Sequence, residues 1–157
     1  AADGTRLHSI LENYVAAVSV HKEDEFVSSL ENEEAEIIDA LLAMDEIPFS
    51  ELFHRAQLEW GFILKLDSGR IIEGQIDFWS KDDSDNIWLL DYKTGSSRFS
   101  EKAFEQLKIY AFALHRFYPE AQIFMGIAYV KEGKSMIQSF EMIELLNSLN
   151  PMQETWS

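Results

Sequence analysis

Apolar positions recur every three to four residues in three stretches of the chain and every second residue in several others. The first helical stripe is Leu7, Leu11, Val15 and Val18, on a helix capped by Asp3 and running to about Val20. After a polar break at His21 to Asp24, Glu25 to Leu30 reads as a short helix. Asn32 to Asp45 reads as a third, burying Ile37, Ile38, Leu41, Leu42 and Met44. Pro48 ends this helical region, and Phe49 to His54 fits neither period. Arg55 to Leu66 is the first predicted strand, and Asp67-Ser68-Gly69 is a tight turn into the second, Arg70 to Ser80. With a period of two, Glu73, Gln75 and Asp77 point one way, and Ile72, Gly74, Ile76 and Phe78 the other.

Lys81 to Asn86 has turn chemistry, and the next run, Asn86 to Lys93, is apolar on both faces. Ile87, Leu89, Asp91 and Lys93 share one face; Trp88, Leu90 and Tyr92 share the other. Such a strand belongs in the centre of a sheet, covered above and below. A long helix follows from Ser100, its expected N-cap, to Phe117, with Phe104, Leu107, Ala111 and Leu114 as its apolar stripe and Pro119 just beyond. Ala121 to Val130 is a further strand, Glu132-Gly133-Lys134 a turn, and Ser135 to Phe140 an edge strand. Glu141 to Leu149 reads as a terminal helix, followed by a tail that includes Trp156. The order of elements predicts an α/β domain with a mixed central sheet flanked by helices: a meander, then a helical crossover. The whole chain, 1–157, reads as one domain, with a helical part at 1–48 and an α/β core at 55–142.

An aspartate at the end of a buried strand is costly unless something pairs with it. Lys93, two residues after Asp91 and on the same face, is one candidate partner, and a metal ion is another. Magnesium takes carboxylate oxygens and keeps several waters, so Asp77 and Asp91 from neighbouring strands would suffice to hold it. Taken alone, D-x-K at a strand end is a common ion pair. In the helix that follows, Gln106 and Tyr110 are four apart and stack on one face.

Four motifs occur in order: Gly4-Thr5-Arg6-Leu7-His8, a G-x-x-D at Gly74 and Asp77, Asp91-Tyr92-Lys93-Thr94-Gly95, and Q-L-x-x-Y at Gln106, Leu107 and Tyr110. This series resembles the PD-(D/E)XK nucleases, specifically their RecB-type exonuclease branch, which includes the C-terminal nuclease domains of the RecB and AddA helicase–nucleases. The resemblance implies a restriction-endonuclease-like core and hydrolysis of DNA phosphodiester bonds with magnesium or manganese. It implies that Asp77, Asp91, His8 and the Tyr92 backbone carbonyl hold the metal, and that Lys93 activates or orients water. Gln106 and Tyr110 would support the site and contact DNA. Some members place an extra acid on the first strand, near the metal or a second metal. Glu59 is the candidate here, and an ordinary strand glutamate is the other reading. Glu12, one turn from His8, would be a second acceptor for the imidazole if it turned inward. The expected partners are single-stranded DNA ends and a helicase domain in the same chain, with a second subunit, in double-strand-break repair and recombination.

Composition both narrows and complicates this picture. With no cysteine, disulfides, thiolate zinc sites and a cysteine-ligated iron–sulfur cluster are excluded. No run approaches a membrane span and no secretory signal is visible, so the default expectation is cytoplasmic. The net charge of −15 is unusual for a domain that must approach DNA. Residues 1–60 hold 14 acidic and 3 basic side chains, against 14 and 10 in residues 61–157, so the acidity lies mainly outside the motif half. The acids around Glu31 to Glu36 read as a solvated helix face. Either another domain delivers the strand to this one, or the domain is a non-catalytic docking or DNA-binding module that retains the fold. The first residue is not methionine, and the expectation is a piece of a longer helicase–nuclease.

Overall fold

The computed structural model describes residues 2–141, and the terminal helix expected at Glu141 to Leu149 and the tail with Trp156 lie outside them, apart from Glu141 itself. Helix α1 spans Ala2–Ser19, so Asp3 lies within it rather than capping it. Helices α2 (Glu23–Ser29), α3 (Asn32–Leu42) and α4 (Phe49–Leu52) follow, with a 3-10 turn at Phe53–Arg55 in the stretch the periodicity left open. Strands β1 (Gln57–Lys65), β2 (Ile71–Lys81) and β3 (Ile87–Lys93) lead to helix α5 (Ser100–Phe117), then to β4 (Ile123–Tyr129) and β5 (Lys134–Ser139).

The five strands lie side by side in chain order. β1–β2, β2–β3 and β4–β5 are antiparallel, and β3–β4 is parallel. A parallel pair needs a crossover, and α5 supplies it. The sheet is therefore the mixed α/β sheet expected from the order of elements. β3 is its central strand, and its side chains divide as the alternation predicts. Ile87 and Leu89 enter a core beneath α5, while Trp88, Leu90 and Tyr92 enter a second core beneath α1, α3 and α4. All four residues of the predicted α1 stripe are buried, together with Ile10 and Tyr14.

Several local expectations are corrected. α3 stops at Leu42, and only Ile38 and Leu41 of its apolar residues are buried. These two are three apart and face the sheet; Leu42, one step round the helix, is exposed. Ser100 is already helical; a 3-10 turn at Ser97–Phe99 precedes it, capped by the Ser96 hydroxyl, which accepts from the Arg98 amide. The acids near α3 are not merely solvated. Arg6 of α1 pairs with Glu31 and, more closely, with Glu34, tying the two helices together.

The largest correction lies in β2. Ile76 packs beneath α5, but Phe78 packs in the opposite core and Trp79 returns to the first. Leu58 pairs with Phe78 and Trp60 with Ile76, which sets Glu59 opposite Asp77, yet that step is missing from the ladder. Glu59 has φ +48, in the left-handed region that side chains other than Gly, Asn and Asp rarely adopt. The backbone turns over there, so Phe78 is not on the face of Ile72, Gly74 and Ile76.

Candidate active site

β2 and β3 pair only from Phe78↔Leu90 to Lys81↔Ile87. One more step would set Asp77 opposite Asp91, but the two strands have already parted. β1 and β2 continue together beyond this fork as a two-stranded arm, down to Lys65↔Ile71. β3 stays with β4 through Lys93↔Tyr129. Both aspartates thus stand where an inter-strand gap opens.

The gap lets groups from both sides of the sheet meet. Asp91 lies on the face covered by α5, whereas His8 projects from α1 on the other face and packs edge-on against Tyr92, ring centroids 6.1 Å apart. A closed sheet would separate them. At the fork, ligand atoms of His8, Asp77 and Asp91 lie within 4.8 Å of one another. His8 Nδ1 is 3.7 Å from Asp77 Oδ2, and Lys93 Nζ is 3.2 Å from Asp91 Oδ2. The Lys93 carbonyl accepts from the Val130 amide and so faces β4. Strand alternation turns the Tyr92 carbonyl the other way, towards the gap.

From α5, Gln106 Nε2 donates to Tyr110 Oη at 2.9 Å. Both line a pocket of about 200 Å³ with His8, Asp77, Asp91 and Lys93. Gln75 lines it too. The motifs did not single it out, although the period of two already set it on the face of Asp77. Gly74, on the opposite face, is required for a different reason. A Cβ there would lie 2.5 Å from Phe62 Cζ and 3.3 Å from Tyr110 Cε1, so its absence lets Tyr110 settle against the arm.

Glu59 is near this group but is not part of it. Its carboxyl lies beside that of Glu12. The Glu12 carboxyl is pushed up by burial first, then by the charge and hydrogen bond of Glu59; His8 opposes this and Asp77 adds to it. Glu12 is thus engaged with Glu59, within electrostatic reach of His8.

Burial pushes the Asp91 carboxyl above the ordinary range, the Lys93 ammonium draws it down, and Asp77 adds to the rise. The Tyr92 phenol on the other face is held well above its usual value by burial and by both aspartates, and among the described residues its buried oxygen has no hydrogen-bond partner. Two carboxylates and an imidazole converging beside a lysine are a donor set for a divalent cation. The raised Asp91 carboxyl agrees: its buried charge is only partly balanced by Lys93, and a cation would balance the rest.

A comparison with curated proteins found no match to this chain. A family model, described as the PD-(D/E)XK nuclease superfamily, matches residues 1–149. Members of that superfamily are typically nucleases that use divalent metals. The fork with its two aspartates and lysine, read with a match over nearly the entire chain, places this protein in the PD-(D/E)XK nuclease superfamily.

Proposed function

We propose that the domain is a magnesium- or manganese-dependent deoxyribonuclease of the RecB exonuclease type, acting on single-stranded ends that a helicase delivers. The observation that supports this best is the convergence of His8, Asp77 and Asp91 beside Lys93. Asp77, Asp91, His8 and the Tyr92 carbonyl would hold the cation. When bound, it would polarise the phosphodiester and lower the pKa of a coordinated water.

The protein's own groups do the rest. The Lys93 ammonium, tethered to Asp91, orients the attacking water and offsets negative charge building on the pentacovalent phosphorus. Water adds to phosphorus, the bond to one sugar oxygen breaks, and a terminal phosphate and a hydroxyl result. The Gln106 amide, fixed through Tyr110, carries a second N–H that can be offered to a phosphate oxygen. Tyr92 stays protonated and packs against His8, holding the imidazole over the gap.

A second reading, a docking or DNA-binding module without catalysis, draws on the net charge of −15. Magnesium titration followed by calorimetry or NMR separates the two. Binding that shifts signals of His8, Asp77 and Asp91, with degradation of a single-stranded oligonucleotide, supports the nuclease. No magnesium or manganese binding at these residues would favour the module.

A further inference from the structure

Beyond the fork, β1 and β2 pair through six further steps, from Trp60↔Ile76 to Lys65↔Ile71. One face of this arm is built into the core beneath α5 through Phe62, Leu64 and Ile76. The other face presents Gly61, Ile63, Lys65, Ile71, Glu73 and Gln75, all exposed. Large apolar side chains seldom stand so open on a sheet: Ile63 is 68% exposed and Ile71 58%. They are diagonal neighbours, since Ile63 pairs with Glu73 and Lys65 with Ile71, and together they make one apolar patch. Between the patch and the pocket the floor is low. Gly61 has no side chain, and a Cβ placed there would touch nothing within 4 Å. Gln75, directly across from Gly61, lines the metal pocket itself.

We propose that this open face of the arm is a binding subsite for single-stranded nucleic acid, continuous with the metal pocket through Gln75. The proposal rests on the hydrolytic reading above and adds to it where the substrate goes on one side of the cut. A strand with one phosphate at the fork must continue over an adjoining surface, and the arm begins there. Gln75 to Ile71 spans about 13 Å of strand, room for the next few nucleotides. The flat face of an unpaired base is apolar and packs on Ile63 and Ile71; in a duplex those faces are already stacked on one another. The surface also suits a polyanion better than the N-terminal part of the chain does. It carries Lys65 against Glu73, whereas residues 1–60 hold 14 acids and 3 bases.

The test uses a fluorescent oligothymidylate of about 12 nucleotides and the p-nitrophenyl ester of thymidine monophosphate, which fills only the metal pocket. Affinity for the oligonucleotide is read by anisotropy in calcium, which takes oxygen ligands with looser geometry. Cleavage of both substrates is read in magnesium or manganese. The Ile63→Asp/Ile71→Asp double variant should weaken oligonucleotide binding by roughly fivefold or more, and should lower kcat/KM for the oligonucleotide by more than for the ester. Gln75→Glu, which sets a carboxylate beside the phosphate, should do the same through KM. Val20→Asp, a charge at another exposed apolar position, should change neither. Oligonucleotide affinity within twofold of wild type in the double variant would overturn the proposal and leave the patch to a protein partner. A wild type that binds but never cuts would sink the hydrolytic reading alone, with the arm still judged by affinity. A wild type that binds no oligonucleotide would sink both.

Discussion

The β2–β3 hairpin has two ends, and an aspartate governs each. At the closed end Asp82 is held entirely by protein. Its Oδ1 accepts from the Ser84 and Asn86 amides at 2.9 and 3.0 Å, and its Oδ2 accepts from Asn86 Nδ2 and Trp88 Nε1 at 3.1 and 3.0 Å. Arg55 fastens the same turn by donating to the Lys81 and Asp82 carbonyls. Burial alone would raise the Asp82 carboxyl, but these hydrogen bonds outweigh it and hold the group below its ordinary value. At the open end Lys93 and, more weakly, His8 draw the Asp91 carboxyl down, but burial wins and it is raised. The same side chain is thus a structural anchor where the chain supplies the donors and, on the proposed reading, a metal ligand where it does not.

The comparison can be broken most sharply at the open end. Asp77→Ala or Lys93→Ala should reduce DNA cleavage by about a thousandfold or more, with circular dichroism and unfolding little changed. Full activity in either variant removes the assigned roles. Asp91→Asn should weaken magnesium binding at least tenfold by calorimetry, while the metal-free protein unfolds in urea no more easily than wild type. Easier unfolding of that variant would mean Asp91 is an anchor like Asp82.

At the closed end the effect should fall on stability. Asp82→Ala leaves four donors unanswered and should cost about 1–3 kcal/mol, towards the lower figure because the site is partly solvated, with magnesium affinity unchanged.

The two ends should also differ in sign with pH. Asp82, with its folded pKa lowered, contributes stability that is present above the unfolded value of about 3.9 and lost as pH falls through the folded one. Asp91, with its folded pKa raised, imposes a cost at neutral pH that is relieved as pH falls from that raised value towards about 3.9. Urea midpoints of wild type and each variant, at about pH 7 and pH 3, should converge at the lower pH from opposite sides. The smallest expected effect is at Gly74. Gly74→Ala should displace Phe62 and, through it, Tyr110, lowering turnover by several-fold to about tenfold with metal affinity retained.

Much of this fold is legible in the chain. A run apolar on both faces can only be an inner strand, and β3 is one. A stripe at Phe104, Leu107, Ala111 and Leu114 can only be a helix lying on a sheet, and α5 does so. The order of elements implies the parallel β3–β4 pair, because the crossover helix stands between them. Lys93 beside Asp91 follows from their spacing alone. By contrast, period two sets Phe78 on the wrong face, because nothing local marks Glu59, a residue type that avoids positive φ, as the point where the backbone turns over. The exposure of Leu42 and the Arg6–Glu34 tie depend on how α3 rolls against α1, which neither helix specifies by itself.

What the residues determine alone is therefore periodic and short-range: which faces are apolar, where strands and helices run, and which functional groups sit two or four positions apart. What only the folded molecule decides is the fork. His8 is far from both aspartates in the chain and stands on a helix packed against the face of the sheet opposite to that of Asp91. Their meeting depends on β2 leaving β3 after Phe78, where the left-handed Glu59 turns the β1–β2 arm. That parting reflects the packing of the arm beneath α5 and of α1 beneath the other face, and it satisfies both cores at once only by leaving a gap between the strands.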